Sequence, residues 1–404
     1  MQATKILSTA VLGATLFLAL YAQADDKEKI IYNFDHASGG SGPAMGLYLD
    51  QSGNLYGLGN SGVFFELSPN GSGGWDYSEL STSSCGYPTG PLVRDQIGNF
   101  FAGDFFGDVC EFSPNGSGGW IASIIYTVNT VSGYGPSSLL VDAAGNVYGV
   151  NGANGANGLG YVFELSPGSS GWSLTDLHDF NGRDGNASNS GNSAAGVLGG
   201  LIMDTSGNLY GVTFSGGSSS ACSSGCGVVF QLINKSGAWT ETVLHSFNGA
   251  NGAEPGAALT MDAAGNLYGT TTAGGSAGFG VVFKISLVSG KPVARVLHSF
   301  TNAGGDGAYP QSALVIDAAN NLYGTTMAGG GASSCQVELD SGCGMAFKLS
   351  PVGNQWKESL LHAFKGRGDG AFPGGLVMDG KGNLYDDAFV GGRYIQGLVF
   401  EIVP

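Results

Sequence analysis

The chain has 404 residues, a formal net charge of −16, 73 glycines and only 11% charged residues. Acidity without a basic patch argues against a nucleic-acid partner. Glycine at this density argues against a helical protein and for a turn-dense β protein.

Lys5 is followed by an apolar run over residues 6–21, then by Ala22-Gln23-Ala24 ahead of Asp25-Asp26. This pattern predicts a secretory signal peptide over residues 1–24, cut after Ala24. A retained anchor is the alternative, and the short run speaks against it. Residues 25–404 are then expected to form one exported domain, extracellular or periplasmic, with no membrane attachment after cleavage.

Residues 29–34 (K-I-I-Y-N-F) read as a strand. They are similar to Leu177-His178-Asp179-Phe180, Leu244-His245-Ser246-Phe247, Leu297-His298-Ser299-Phe300 and Leu361-His362-Ala363-Phe364. A unit typified by M-D-A-A-G-N-L-Y-G-T-T then recurs seven times, at Asp50, Asp95, Asp142, Asp204, Asp262, Asp317 and Asp379. Apolar residues flank each Asp-x-x-Gly-Asn, which predicts a tight turn between two short strands. Asp suits the first turn position and Gly the fourth. Asn320, the one exception to Gly, tolerates the left-handed region best after Gly. Seven calcium sites are the alternative, but one carboxylate per loop falls short of the six to eight oxygens that calcium takes.

Each unit continues in one order: strand a ending at the Asp, strand b, a Gly-rich loop, strand c, and strand d, which often starts at a Trp such as Trp239. Four short strands repeated radially predict an all-β, seven-bladed propeller. The seventh unit has strands at 375–379, 383–389 and 397–403 but no strand d. The 29–34 segment is a d-type strand without a unit, so it is expected to close the last blade and cover its edge.

The recurring G-N-L-Y-G-T-T, G-V-V-F-K/E-L/I-S-P and L-H-S-F motifs resemble the GloVer repeats of exported bacterial tandem-repeat proteins. The resemblance spans nearly all of the chain after residue 24. It implies export and a propeller-like array, and it carries over no reaction. Many such proteins end in a sorting or anchoring signal, whereas this chain ends after strand c, which departs from that pattern.

Six cysteines in an exported chain predict disulfides. Cys222 with Cys226 and Cys335 with Cys343 each close a short loop, which leaves Cys85 with Cys110. Buried free thiols are the alternative. No His stands at zinc spacing beside either loop.

His36, His178, His245, His298 and His362 lie in or just beyond outer strands, and recurrence points to a structural job between blades. No Ser-His-Asp set or nucleophile elbow is evident. The d–a and b–c loops are expected to share one face around the channel mouth. The residues just before strand a include Tyr87, Tyr134, Glu254, Tyr309 and Phe372, and aromatic rings there could stack on a sugar. Packing against the Gly-rich loops is the structural alternative. A second set near the end of strand b holds Asp104, Asn151, Thr213, Thr271 and Thr326, with Asp387 one place earlier in its copy. These polar groups could meet a ligand or anchor the loops. Arg94 and Arg393 occur once each, as ligand contacts or as surface charges.

The resulting expectation is a secreted, monomeric, non-enzymatic binding or scaffold protein for a glycan or protein ligand, with no cofactor and no metal. A propeller lyase or hydrolase using Asp104, Glu254 and Asp387 is the alternative, and it rests on fold analogy.

Overall fold

The computed structural model describes residues 28–35, 42–82, 85–128, 135–187, 199–331, 335 and 342–404. The signal-peptide segment, His36 and Tyr134 lie outside these residues. Among the described residues every regular element is a β-strand. Seven antiparallel sheets form a seven-bladed propeller, each blade ordered a-b-c-d from one edge to the other. Blade 5 is typical, with strands Thr260–Met261, Leu267–Thr271, Val281–Val288 and Lys291–Ser299.

Blade 7 is assembled from both ends of the chain. Its a, b and c strands are Val377–Met378, Leu384–Val390 and Leu398–Ile402, and Glu28–Asn33 pairs antiparallel with the last of these. Three details identify Glu28–Asn33 as a d strand. Its ladder to strand c breaks at Ile31, as the other ladders break at Leu177, Leu244, Leu297 and Leu361. The Phe34 N–H donates to the Gly397 carbonyl, just as Phe180, Phe247, Phe300 and Phe364 donate to Gly160, Gly227, Gly280 and Gly344. The Phe34 ring also meets Phe65 of blade 1 edge-on at 5.2 Å. The corresponding pairs Phe180/Phe230, Phe247/Phe283, Phe300/Phe347 and Phe364/Phe400 stand 5.1 to 5.3 Å apart.

The apolar core is divided among the gaps between blades. Seven clusters of buried residues each straddle two neighbouring blades, and the blade 7–blade 1 cluster joins Phe34, Tyr385 and Val399 to Leu47, Leu55 and Phe65. Burying these faces is what holds a propeller together, since each blade alone would leave both faces wet.

The sequence of the repeat explains its tight tolerances. A Cβ on Gly269 would come 2.6 Å from the Phe283 ring across the ladder. Gly57, Gly149, Gly211 and Gly324 face Phe rings in the same way. Blade 2 has Ala102 there, opposite Cys110 instead of Phe. Blade 7 has Asp386 opposite Phe400 and is the one blade with a charged residue at this place.

The a–b turns form as the sequence predicts. In blade 5 the Asp262 Oδ1 accepts the N–H groups of Ala264 and Asn266, and its Oδ2 accepts the Asn266 amide and the Tyr268 hydroxyl. Gly265 takes φ 77° and Asn320 takes φ 61°. The carboxylate is thus engaged within its own turn. All three expected disulfides are present: Cys85–Cys110, Cys222–Cys226 and Cys335–Cys343, with Cα–Cα distances of 6.2, 5.2 and 5.1 Å.

Candidate functional site

Antiparallel order places the b–c and d–a loops on one face and the a–b turns on the other. On the loop face, four residues just before a proline adopt the left-handed conformation: Tyr87, Glu254, Tyr309 and Phe372, with φ 56°, 59°, 58° and 58°. Such a backbone costs a non-glycine residue about 1–3 kcal/mol, so it persists only where the surroundings impose it. Hydrogen bonds from two blades impose it here. The N–H groups of Tyr87, Glu254 and Tyr309 donate to the carbonyls of Asn60, Cys226 and Phe279 in the preceding blade. Their own carbonyls accept from Phe105, Thr272 and Met327 in the following blade. Phe372 donates to Cys343 in the same way.

This clamp interleaves the two sets of sequence candidates. Tyr87 sits against the loop carrying Asp104, and Pro88 bridges to Asp104 itself. Glu254 lies by Thr271, Tyr309 by Thr326, and Phe372 by Asp387, through the strand contact of Pro373 with Ala388. The b-strand set is buried and turned to its own loops. Thr213, Thr271 and Thr326 donate to the carbonyls two residues on, each at 2.8 Å. Asn151 accepts the Ala153 N–H and contacts Tyr161. Asp104 accepts the N–H groups of Phe106 and Asp108 through Oδ1, while its Oδ2 is buried without a hydrogen-bond partner. Burial pushes the Asp104 carboxyl up to about 6 despite those bonds.

Asp386 and Asp387 form the second buried acidic feature, on the inner side of blade 7. Asp387 Oδ1 accepts the N–H of Gly46 in blade 1, and Asp386 Oδ1 accepts the N–H of Gly375. Burial, and then the charge of Asp387, hold Asp386 well above the usual carboxylate range. Burial raises Asp387 to about 6 against hydrogen bonds from Asp386 and Gly46. Asp104, Glu254 and Asp387 belong to blades 2, 5 and 7, so the carboxylates of the enzymatic alternative are spread around the ring.

Among the residues that the loop face exposes are several aromatic rings. Tyr87, Phe105 and Phe106 are 61%, 38% and 46% exposed. Their rings run edge to face, Tyr87 to Phe106 at 6.1 Å and Phe106 to Phe105 at 5.8 Å. Tyr309 is also exposed and stands 5.6 Å from Phe279. On blade 7, Phe389, Tyr394 and Ile395 are exposed, with the Arg393 guanidinium 5.4 Å over Tyr394. Phe372 is instead packed against the cluster between blades 6 and 7. Phe105 and Phe106 were missed by sequence reading; Phe214, Met327 and Phe389 stand at the place of Phe105 in blades 4, 6 and 7, whereas no other copy has an aromatic residue at the place of Phe106. Arg94 lies elsewhere, stacked 4.9 Å over Phe100 in a groove of about 470 Å³ between the a–b turns of blades 1 and 2.

The recurrent histidines occupy the gaps between blades. His178, His298 and His362 meet Asp184, Asp306 and Asp369 of the next connection at 3.3, 3.1 and 3.2 Å. His245 meets Asn251 at 3.0 Å, and burial lowers its pKa.

A description of the Gloeobacter/Verrucomicrobia repeat matches residues 105–338, more than half of the chain. No curated protein matches. Among solved structures, a gluconolactonase from Xanthomonas campestris is 13% identical, with 73% of this chain and 85% of that one covered and a TM-score of 0.44. A protein from Bacteroides uniformis, provisionally named a 6-phosphogluconolactonase, is 13% identical over 86% of this chain and 89% of its own, with a TM-score of 0.49. Similarity at this level carries no reaction to the present chain.

Proposed function

We propose that this chain, which belongs to the Gloeobacter/Verrucomicrobia repeat family, is an exported, non-enzymatic binding module that holds a glycan on its loop face. The observation that carries the reading is the solvent-exposed chain of rings Tyr87–Phe106–Phe105 on two loops locked to each other by backbone hydrogen bonds. Flat rings left in water offer a stacking surface for the apolar face of a sugar. A locked backbone lowers the entropy lost on binding. Three disulfides suit an oxidising compartment and support export. Separation of Asp104, Glu254 and Asp387 over three blades favours binding over a lyase or hydrolase.

The test is a glycan array probed with the parent and with the Tyr87→Ala, Phe106→Ala, Tyr309→Ala and Phe372→Ala variants. Loss of at least about tenfold in affinity is expected for Tyr87→Ala and Phe106→Ala, which is about 1.4 kcal/mol. Phe372→Ala is expected to change stability more than affinity. A parent that binds no glycan, or variants at residues 87 and 106 that bind as the parent does, would reject the proposal.

A further inference from the structure

The gaps between blades hold a recurring set of three residue types. A His follows the bulge of strand d in one blade, an Asp comes from the connection, and a Glu stands three residues before the bulge of strand d in the next blade. Two gaps bring one ligand atom of each residue within 4.8 Å of the others: His178, Asp184 and Glu241 between blades 3 and 4, and His362, Asp369 and Glu28 between blades 6 and 7.

We propose that these two gaps are binding sites for a divalent transition-metal ion of the zinc type, each with three protein ligands and a fourth position for water. Zinc ligands at about 2.0–2.2 Å in a tetrahedron stand roughly 3.3–3.6 Å from one another. In the second gap His362 Nε2 lies 3.2 Å from Asp369 Oδ2 and 3.6 Å from Glu28 Oε2. His178 Nε2 lies 3.3 Å from Asp184 Oδ2. These three pairs already stand at the separation a bound ion requires, and the remaining pairs of ligand atoms lie within 4.8 Å. The charge also fits: two carboxylates and a neutral imidazole sum to −2, which a divalent cation cancels.

The chain contains its own comparison. Between blades 4 and 5 the His is kept as His245, but Asn251 stands for the Asp and Ala294 for the Glu. Both anionic groups are replaced together, and the His is satisfied by a neutral amide. Such joint replacement fits sites in which the three residues work as one unit.

The site between blades 6 and 7 has a structural consequence. Glu28 belongs to the strand that closes the ring, so a bound ion would fasten that strand to the body of the propeller.

The experiment is equilibrium dialysis of the purified chain against zinc chloride, with bound metal counted by elemental analysis. Asp184→Asn combined with Glu241→Ala copies the neutral gap that the chain already tolerates, and Asp369→Asn does so in part for the other site. Each is expected to remove one equivalent of zinc, and His245→Ala is expected to remove none. Zinc should raise the thermal midpoint of the parent more than that of a variant lacking both sites. The proposal is overturned if the parent retains no more zinc than the variant lacking both sites. It is equally overturned if His245→Ala loses as much zinc as the other variants.

Discussion

Truncating Phe34 tests whether the N-terminal strand is a full member of the ring. The side chain is 3% exposed and packs on Phe65, Tyr32 and Tyr77. Replacing a buried Phe by Ala removes its transfer free energy and leaves a cavity, a loss of about 3–5 kcal/mol. Phe300→Ala is the internal standard, because Phe300 makes the same backbone bond and the same ring contact from an uninterrupted blade. Denaturant unfolding followed by tryptophan fluorescence, alongside thermal midpoints at one scan rate, should give similar losses for the two variants. A shift of roughly 1 °C per kcal/mol is expected in the midpoint of a single domain of this length. If Phe34→Ala stays within about 0.5 kcal/mol of the parent while Phe300→Ala loses the full amount, the strand contributes nothing to closure and the reasoning fails.

Three further outcomes follow from local geometry. Asp262→Ala removes the acceptor of two N–H groups, an amide and a hydroxyl; a loss of roughly 2–3 kcal/mol is expected by denaturant unfolding. Gly269→Ala places a methyl 2.6 Å from the Phe283 ring, and a loss of about 1–3 kcal/mol should appear in the same assay. Gly278→Ala is its contrast: nothing lies within 4 Å of its added Cβ, but its φ of 87° makes the change a backbone penalty without a clash. Hydrogen exchange should therefore show loosening only in the loop around residue 278, whereas the residue-269 variant should weaken blades 4 and 5 as a unit, because Phe283 packs in the gap between them.

The fold was legible because its signals repeat in register. One Asp, one Gly or Asn, and one Asn per copy specify a turn, and the unpartnered first strand matched the motif missing from the last copy. The cysteines were legible by spacing. What escaped was chemistry made across copies. The Tyr268 hydroxyl reaches Asp262 because strand b folds back over the turn, a contact between residues that seemed to have separate jobs. The His178–Asp184–Glu241 set combines three different places of the repeat from two blades. No single column of aligned copies displays it, because the bulge shifts the d-strand register. On the loop face, Tyr87 and Asp104 were each picked out, but nothing in the repeat pattern singles out the adjacent Phe105 and Phe106, whose exposure is a property of the folded loop.

The carboxylates with shifted pKa values include two groups whose pH dependences oppose each other. For Asp204, Asp262, Asp317 and Asp379, burial acts upward but hydrogen bonds to Asn side chains, backbone N–H groups and Tyr hydroxyls outweigh it, so each carboxyl is lowered. A folded pKa below the unfolded one gives stability that is present above about pH 4 and is lost as pH falls through the folded value. Asp104 and Asp387 behave in the opposite sense, since burial raises both to about 6. Their contribution is complete below about pH 4 and is lost as pH rises through 6. At about 1.4 kcal/mol per pH unit, the rise of Asp387 from 3.8 to about 6 corresponds to roughly 3 kcal/mol. Stability should therefore peak between about pH 4 and 6, on the acidic side of neutrality. Asp387→Asn keeps an acceptor for the Gly46 N–H and cannot ionise, and because the Asp387 charge also helps raise Asp386 the variant reports on the pair. Measured by denaturant unfolding, the variant should match the parent near pH 4 and exceed it by up to about 3 kcal/mol at pH 8. A constant difference between the two proteins across that range would show that burial does not keep Asp387 from ionising. A parent whose stability still climbs at pH 8 would show that the hydrogen-bonded turns, and not the buried acids, govern its response to pH.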